Sequence, residues 1–508
     1  MHAKPDGATI DAMSEPAGGD LPAESIAPTV ATTGLGKRAL RNTILILVAR
    51  VASRVVALIT VVLISHVLGD ARFGQMQTAV TYSALASIVA DFGFTTLYVR
   101  EGARRPERLA HLLSFAMSVR VMLSVAAAPL LLGGLWFAGL QSLWLPTLAI
   151  LVIGGYLLLL RSTLYATQRL NFEIAEIVPE SMLLLGLVIL GAAIQGDASY
   201  FLWAYALTYA AATVYFAIVV IGRGIARPRW AFDAALVKPW FVAGVPLAIT
   251  FLLTTVYFKV DVPILQHLRS YAEVGWYTLA YKPFEALLFI PVTLRSVMFP
   301  VLSIYKSQAP HRILATSEKF FKALALIGWP ITVGIFLLTP QFNDLLQLFP
   351  QSEPALHILA LAIVFVFVDN TFAATFNATD RQKTFAYIAL SGLGVNIALN
   401  LVLIPAFGYI GASWATVITE IALVATGWAV LRAQVGALRV VHLTWRIIAA
   451  GLVMGAFVFL VHPQGRVPLL LVTLAAAAIY TLCLVLFRAL DDEDWEAVRA
   501  VVRRRTSG

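Results

Sequence analysis

Charge is what this sequence is short of. Only 13% of its 508 residues are Asp, Glu, Lys or Arg, against roughly 25% in soluble domains. Cysteine is nearly absent too. Cys483 stands alone, which excludes an intrachain disulfide framework and a thiolate metal cluster. The eight histidines are scattered, with no pair at metal-ligand spacing. No glycine-rich loop leads into a Lys-Ser or Lys-Thr pair, so nothing here cradles a nucleotide phosphate, and ATP is not expected as the fuel. No stretch between apolar runs is long enough to house a soluble catalytic domain. The N-terminal segment has no short apolar core with a cleavage site and is not read as a cleaved signal peptide.

What the chain has is hydrocarbon. It is 60% hydrophobic, and its mean hydropathy is +0.83. A helix needs about 20 apolar residues to cross a bilayer. Runs of that kind fall roughly at 44–67, 77–99, 110–138, 143–165, 177–195, 200–221 and 240–266. A second series falls roughly at 277–304, 320–341, 355–378, 384–404, 411–431, 446–462 and 467–488. The reading is an all-α polytopic membrane protein of about fourteen spans. Pro283, Pro291, Pro300 and Pro330 interrupt the eighth and ninth. The net charge of +9 would suggest nucleic acid in a soluble protein. Here it reads as the positive-inside bias of cytoplasmic loops, and no nucleic-acid partner is expected.

The loops test the count. Those after even-numbered spans are basic, for instance Arg100, Arg104, Arg105 and Arg108, or Arg381 and Lys383. The opposite loops hold little beyond Arg72, Arg269 and Arg466. One miscounted helix would scramble that alternation, so both termini are expected in the cytoplasm. Residues 1–35 read as a disordered cytoplasmic tail, rich in Ala, Gly, Pro and acids. The rest divides into six-helix lobes at 36–222 and 223–432, a helix pair at 433–490 and a basic cytoplasmic tail at 491–508. The longest plausible outer loop runs from Thr339 to Pro354.

Some charges lie where lipid should be. A charged residue at mid-span costs about 2.5–3.5 kcal/mol on insertion scales and usually faces a bundle interior or a wet cavity. Arg50 and Arg54 are four residues apart in the first span and leave one side of the helix. The competing reading is that they snorkel or pair with a packing carboxylate. Lys259 and Asp261 in the seventh span are two apart and project to different sides. Arg295 in the eighth span and Arg120 in the third are further candidates, the latter closer to a packing role. Lys282 and Glu285 fit either a cavity or an interfacial pair. Asp91, Glu180, Asp369 and Glu420 sit in or near apolar runs. Buried carboxylates can carry protons or bind sodium, or simply hydrogen-bond a neighbouring helix. Asn377, Asn396 and Asn400 suit helix-to-helix bonds or contacts to sugar hydroxyls.

The chain also echoes itself. His66–Met76 reads HVLGDARFGQM and His267–Tyr277 reads HLRSYAEVGWY, each with a glycine eight residues after a histidine. Each follows the first long span of a half, and six spans separate the halves, as in a parallel repeat related by an axis along the membrane normal.

Several stretches resemble Wzx-type polysaccharide flippases. The opening GLGKRALRNTILILVARVASRVVALITVVLISHVLGDARFGQM and the later ADFGFTTLYVRE are similar to that family's entry helix, its L-G-x-x-x-(F/Y)-G loop and its D-(F/L)-G turn. VDVPILQHLRSYAEVGWYTLAYKPFEAL resembles the opening of the family's second half, with Asp261, Gly275, Tyr277 and Ala280 on the pattern. NIALNLVLIPAFGYIGASWATVITE, Asn396 to Glu420, follows it most closely. The resemblance covers roughly residues 34–432. It implies the multidrug/oligosaccharidyl-lipid/polysaccharide (MOP) exporter fold, with two six-helix lobes around a central cavity. It further implies flipping of an undecaprenyl-pyrophosphate-linked oligosaccharide across the bacterial inner membrane, for exopolysaccharide, capsule or O-antigen. Polysaccharide polymerases and glycosyltransferases are the implied partners. Lipid II flippases are relatives that also carry two helices beyond twelve.

A lipid pyrophosphate needs cationic donors in place of water, which Arg supplies bidentately. Arg54 and Arg295 are the expected phosphate contacts, with Arg50 and Lys259 secondary. No cofactor is expected. Energy is expected from an ion gradient or the membrane potential, with Asp261 the first coupling candidate and Asp369, Glu420 and Asp91 behind it. Three alternatives stay open, one of them a non-transporting scaffold of an envelope assembly, a passive role for which lipid-buried arginines are expensive. A multidrug cation exporter of the same superfamily would want an acidic, aromatic cavity. A membrane-embedded polymerase or ligase would want a large external loop with catalytic residues.

Overall fold

The structure, a computed structural model, describes residues 34–229 and 232–490. Two compact units emerge, residues 1–47 and residues 48–508. Of the first, residues 34–47 are described, and they are helical. All packing reported below lies in the second. The expected tails lie outside the described residues, except Gly34 and Leu35, which open the first helix.

All regular structure among the described residues is helical. The elements are α1 (Gly34–Asp91), α2 (Phe94–Arg104), α3 (Leu109–Phe137), α4 (Trp144–Ala166), α5 (Asn171–Ala193), α6 (Ala198–Gly222), α7 (Ala234–Lys259) and α8 (Asp261–Leu268). They continue with α9 (Tyr271–Leu287), α10 (Phe289–Gln308), α11 (Ile313–Leu346), α12 (Ser352–Ala378), α13 (Gln382–Gln434), α14 (Val440–Val461) and α15 (Arg466–Leu486). Twelve stretches are long and apolar enough to cross a membrane. Two of them contain a glycine that leaves helical geometry: Gly69 in α1 at φ 71°, ψ 174°, and Gly408 in α13 at φ 58°, ψ −138°. Only glycine takes such angles without a Cβ penalty. Each break turns one long helix into two spans, so the expected fourteen are present.

The seventh and eighth spans break again, at Val260 between α7 and α8 and at Leu288 between α9 and α10. Pro263 has no N–H for the Lys259 carbonyl, and Pro291 has none for the Leu287 carbonyl. Both prolines sit in the first turn of the following helix, where the lost donor costs least. Side-chain caps start three helices: Asp197 accepts from the Tyr200 N–H at 2.8 Å, Asp233 from Ala235 at 3.0 Å, and Ser270 from Glu273 at 3.3 Å. The outer loop expected at Thr339–Pro354 is shorter. α11 runs through Pro340 to Leu346 and α12 begins at Ser352.

Burial falls into three cores. One belongs to the first half and joins α2, α3, α4 and α6 to the start of α7 through Phe94, Phe115, Leu160, Phe216 and Trp240. A second joins α9–α15 through Phe284, Phe321, Phe367, Phe372, Met454 and Tyr480. The α14–α15 pair lies on α11, where Gly451 faces the Trp329 ring and Tyr480 donates to the Leu326 carbonyl at 3.0 Å. The third core draws on both halves. Ile64, Phe73, Met76, Leu135 and Phe201 pack with Leu265, Val274, Leu356 and Ile404. All of these lie toward the ends that carry the short, charge-poor loops, called the outer ends below.

The echo is part of this outer seal. A Cβ on Gly74 would lie 1.8 Å from the Tyr271 carbonyl oxygen, and one on Gly275 would lie 2.3 Å from the Asp70 carbonyl oxygen. Each glycine thus receives the backbone four residues before the other. Trp276 Nε1 donates to Asp70 Oδ2 at 3.2 Å, Tyr271 donates to the Ala138 carbonyl, and Ser352 donates to the Trp276 carbonyl at 2.9 Å. The repeat seen in sequence is a reciprocal contact between the halves.

One ion pair is buried in the first half. Arg120 Nη1 lies 2.5 Å from Asp91 Oδ1, with the side chains 5% and 9% exposed. Thr95 donates to the same carboxylate oxygen, and Arg120 fills the space beside Gly155. Removing one partner of a buried pair costs about 3–5 kcal/mol because the other charge is left unpaired. Asp91→Ala should therefore lower the thermal midpoint in detergent sharply. Asp91→Ala/Arg120→Leu should recover much of the loss. Equal midpoints for single and double variants would remove this account of the pair.

Candidate functional site

Arg54, Lys259, Lys282 and Glu285 come together from α1, α7 and α9. Lys282 Nζ lies 3.0 Å from Glu285 Oε2, and Lys259 Nζ lies 3.5 Å from Oε1. Arg54 makes no hydrogen bond or ion pair among the described residues, yet its charge reaches Glu285. Arg54 is exposed, and the carboxylate it feels belongs to the second half. Lys259 and Lys282 pair with Glu285, Arg54 lies within electrostatic reach of it, and Lys259 also feels Asp261, so three cations face two carboxylates. Lys282 and Glu285 belong to this group, not to an isolated interfacial pair.

Arg50, one turn earlier, turns to its own half. Its Nη2 lies 3.2 Å from the Tyr165 hydroxyl and 3.5 Å from Glu173 Oε1, and Tyr165 donates to that oxygen at 2.7 Å. Deeper along α5, Arg161 Nη2 bridges Glu176 at 3.0 Å and Glu180 at 2.8 Å. Ser53 and Ser181 meet at 2.6 Å, which fixes α1 against α5. The expected arginine pair is therefore divided, Arg50 to α4 and α5 and Arg54 to the second half.

The carboxylates of the second half form a connected set. Asp261, 6% exposed, accepts from the Tyr277 hydroxyl, which lies 3.5 Å from Thr416 Oγ1. Glu420, 4% exposed, accepts from Tyr257. Asp369 stands within electrostatic reach of Glu420 and of Arg295, with its Oδ1 buried and unpartnered. Tyr281 packs between Tyr277 and Phe284, at 5.7 and 4.9 Å between ring centres, and feels Asp261, Glu285 and Glu420. Asn400 donates to Asn396 Oδ1 at 3.0 Å, leaving its own Oδ1 buried and unpartnered. Tyr281 thus stands between the Glu285 cluster and the carboxylates of Asp261 and Glu420, within electrostatic reach of all three.

Of the residues expected from sequence, Arg54 and Lys259 share one cluster. Asp261, Asp369 and Glu420 share the set behind it. Arg295 sits at the Asp369 end, and no interaction among the described residues joins it to Arg54. Asp91 stands apart, held by Arg120 and Thr95. The sequence reading missed Glu173 and Glu176. Hydropathy places the fifth span near residue 177, whereas α5 begins at Asn171. The spacing Glu173, Glu176, Glu180 is the helical signal that would have found them. Tyr257 and Tyr281 were missed because an aromatic in a membrane helix carries no signal by itself, and Tyr277 stood out only by lying on the family pattern.

Comparison with known proteins decides the family. Residues 39–306, more than half of the chain, match the family described as polysaccharide biosynthesis protein. The chain belongs to that family. Residues 246–402 also match the MatE family. An uncharacterized membrane protein of Methanocaldococcus jannaschii is 37% identical over 84 residues, 16% of this chain. The match spans only 20% of that relative's length. Among solved structures, the lipid II flippase MurJ in an inward closed conformation superposes with a TM-score of 0.72 at 15% identity, over 88% of this chain and 99% of that one. A multidrug resistance MATE family transporter of the MOP superfamily, inward-facing, gives 0.63 at 14% identity, over 77% and 98%. At such identities the likeness establishes the fold. This is a multi-pass membrane protein with the MOP transporter fold.

Proposed function

We propose that this chain flips an undecaprenyl-pyrophosphate-linked oligosaccharide across the inner membrane for polysaccharide biosynthesis, by alternating access of two lobes. The observation that carries the reading is an excess of positive charge, where Lys259 and Lys282 pair with Glu285 and Arg54 stands within reach of it, three cations against the carboxylates of Glu285 and Asp261. At this depth such charge is costly unless an anion answers it. A lipid pyrophosphate is such an anion, and Arg binds it through two parallel hydrogen bonds. Arg295 and Arg50 are the further phosphate contacts. The family match supports an envelope glycan as the rest of the substrate. The division is into lobes at 36–222 and 223–432 with a helix pair at 433–490; a core drawn mainly from the first lobe supports it, beside one that joins the second lobe to the pair. Both termini lie in the cytoplasm on this reading, which the basic loops on their side of the membrane support. With the outer ends sealed, loading takes place from the cytoplasmic side. Polymerases and glycosyltransferases of the same pathway are the partners.

A multidrug cation exporter is disfavoured by the same cluster, which would repel a cationic drug. A polymerase or ligase is disfavoured by the short α11–α12 loop, residues 347–351. The deciding experiment reconstitutes the purified chain in vesicles with lipid-linked oligosaccharide and follows its accessibility to an impermeant probe. Flipping should depend on the chain; a rate equal to that of empty vesicles rejects the proposal.

The same vesicles test coupling. Asp261 is the first candidate because it is buried next to Tyr277, and Tyr281 lies within electrostatic reach of both it and Glu285. An imposed sodium or proton gradient should accelerate the unaltered chain. Asp261→Asn should flip at the gradient-free rate whatever the gradient. Undiminished acceleration in that variant would move coupling to Asp369 or Glu420.

A further inference from the structure

A pocket of about 300 Å³ opens at the inner end of the first half, where α2, the 106–108 turn, α3 and the start of α7 meet. Arg100, Arg105, Arg108 and His111 line it, with Glu101 and Asp233. Both carboxylates are already engaged. Glu101 accepts from Arg100 at 3.2 Å, and Asp233 lies 3.1 Å from His111 Nε2. Arg105 and Arg108 are exposed, and among the described residues their guanidinium groups have no hydrogen bond or ion pair. The remaining wall is apolar and ends on Trp240, which is 5% exposed and meets Phe94 and Phe115 edge-on at 5.6 and 5.1 Å.

Basic loops on one side of a membrane follow from topology alone. A concave site that combines two idle guanidinium groups with an apolar wall asks for more, namely a ligand with an anionic head and hydrocarbon beside it. Arg is weakly hydrated and offers phosphate a planar fork of donors. The site also lies among the ends of α2, α3 and α7, and helices long enough to span the hydrocarbon carry their ends to the headgroup region.

We propose that the pocket bounded by Arg105, Arg108 and Trp240 binds the phosphate headgroup of an anionic phospholipid. The bound lipid bridges the loop between α2 and α3 to α7, the first helix of the second half. A soluble phosphate shares the headgroup's charge but has nothing to place against the apolar wall. The inference is independent of the transported substrate.

The test uses the purified full chain in detergent micelles doped with phosphatidylglycerol or, at equal mole fraction, phosphatidylcholine. A ligand that binds only the folded state raises the unfolding midpoint. Phosphatidylglycerol should raise it by several degrees and phosphatidylcholine should not. Native mass spectrometry should show one retained phosphatidylglycerol. Arg105→Gln/Arg108→Gln should unfold like the unaltered chain without anionic lipid, since neither guanidinium holds a partner, and should lose both effects. Arg169→Gln/Arg227→Gln removes the same two charges from exposed positions outside the pocket, and should keep both. Protection that survives the Arg105/Arg108 change, that the Arg169/Arg227 change abolishes equally, or that phosphatidylcholine or inorganic phosphate reproduces would overturn the proposal. If the Arg105/Arg108 variant does not fold, Arg105→Gln alone, read by the retained lipid, decides between the same outcomes.

Discussion

Replacing Arg54 with alanine should cut glycan export by roughly ten- to a hundredfold, the equivalent of the ~1.5–3 kcal/mol carried by a hydrogen-bonded charge. The loss should appear without a fall in folded protein. Arg54 is exposed and makes no hydrogen bond or ion pair among the described residues, so nothing in the fold depends on it. Arg54→Lys keeps the charge but not the fork of donors, and should recover only part of the rate. Arg295→Ala should also reduce export, with an added penalty in stability. Its charge faces Asp369, whose Oδ1 is already buried and unpartnered. Complementation of an export-deficient strain measures the rate, and the thermal midpoint of each purified variant separates transport from folding. Normal export by both Arg54→Ala and Arg295→Ala would remove the phosphate assignment and with it the strongest argument for an anionic substrate.

Part of this site was legible in the sequence. Arg54 and Lys259 were visible because a charge inside an apolar run stands out against hydrocarbon, and the fourteen spans were visible for the same reason. The echo was visible because the outer contact requires a glycine at one offset in both copies. What stayed hidden is partner choice. Nothing in the spacing of Arg50 and Arg54 tells that one turns to Glu173 and Tyr165 and the other toward Glu285. Asp91 looked like a coupling candidate because its partner, Arg120, comes from another helix 29 positions away. Glu176 escaped because a hydropathy window begins the helix only where polar residues stop. The break at Val260 could have been read from Pro263. Its consequence, which aims Lys259 at the substrate cluster and Asp261 at Tyr277, needs the fold.

Closing the outer end depends on Gly74 and Gly275, and Gly74→Ala should leave that end unable to seal. The new methyl carbon would sit 1.8 Å from the Tyr271 carbonyl oxygen, so backbone must move. Overpacking of that kind costs about 1–3 kcal/mol or more, enough to shift a two-state equilibrium roughly five- to a hundredfold. The displaced population opens toward the outside, because the clash exists only while the halves meet there. Gly275→Ala should do the same through the Asp70 carbonyl oxygen at 2.3 Å. Gly133→Ala supplies the control, since a Cβ there meets nothing within 4 Å and replacing glycine in a helix gains about 0.5–1 kcal/mol. Cys483 is the only cysteine, so a chain with Cys483→Ala and one cysteine introduced inside the seal reports opening directly. An impermeant maleimide added from outside should label that cysteine faster in the Gly74 and Gly275 variants and unchanged in the Gly133 control, while export falls at least tenfold in the first two. Protected cysteines with unimpaired export in both variants would mean that the reciprocal glycine contact is not the outer gate, and that α1 and α9 stay locked together while some other surface opens.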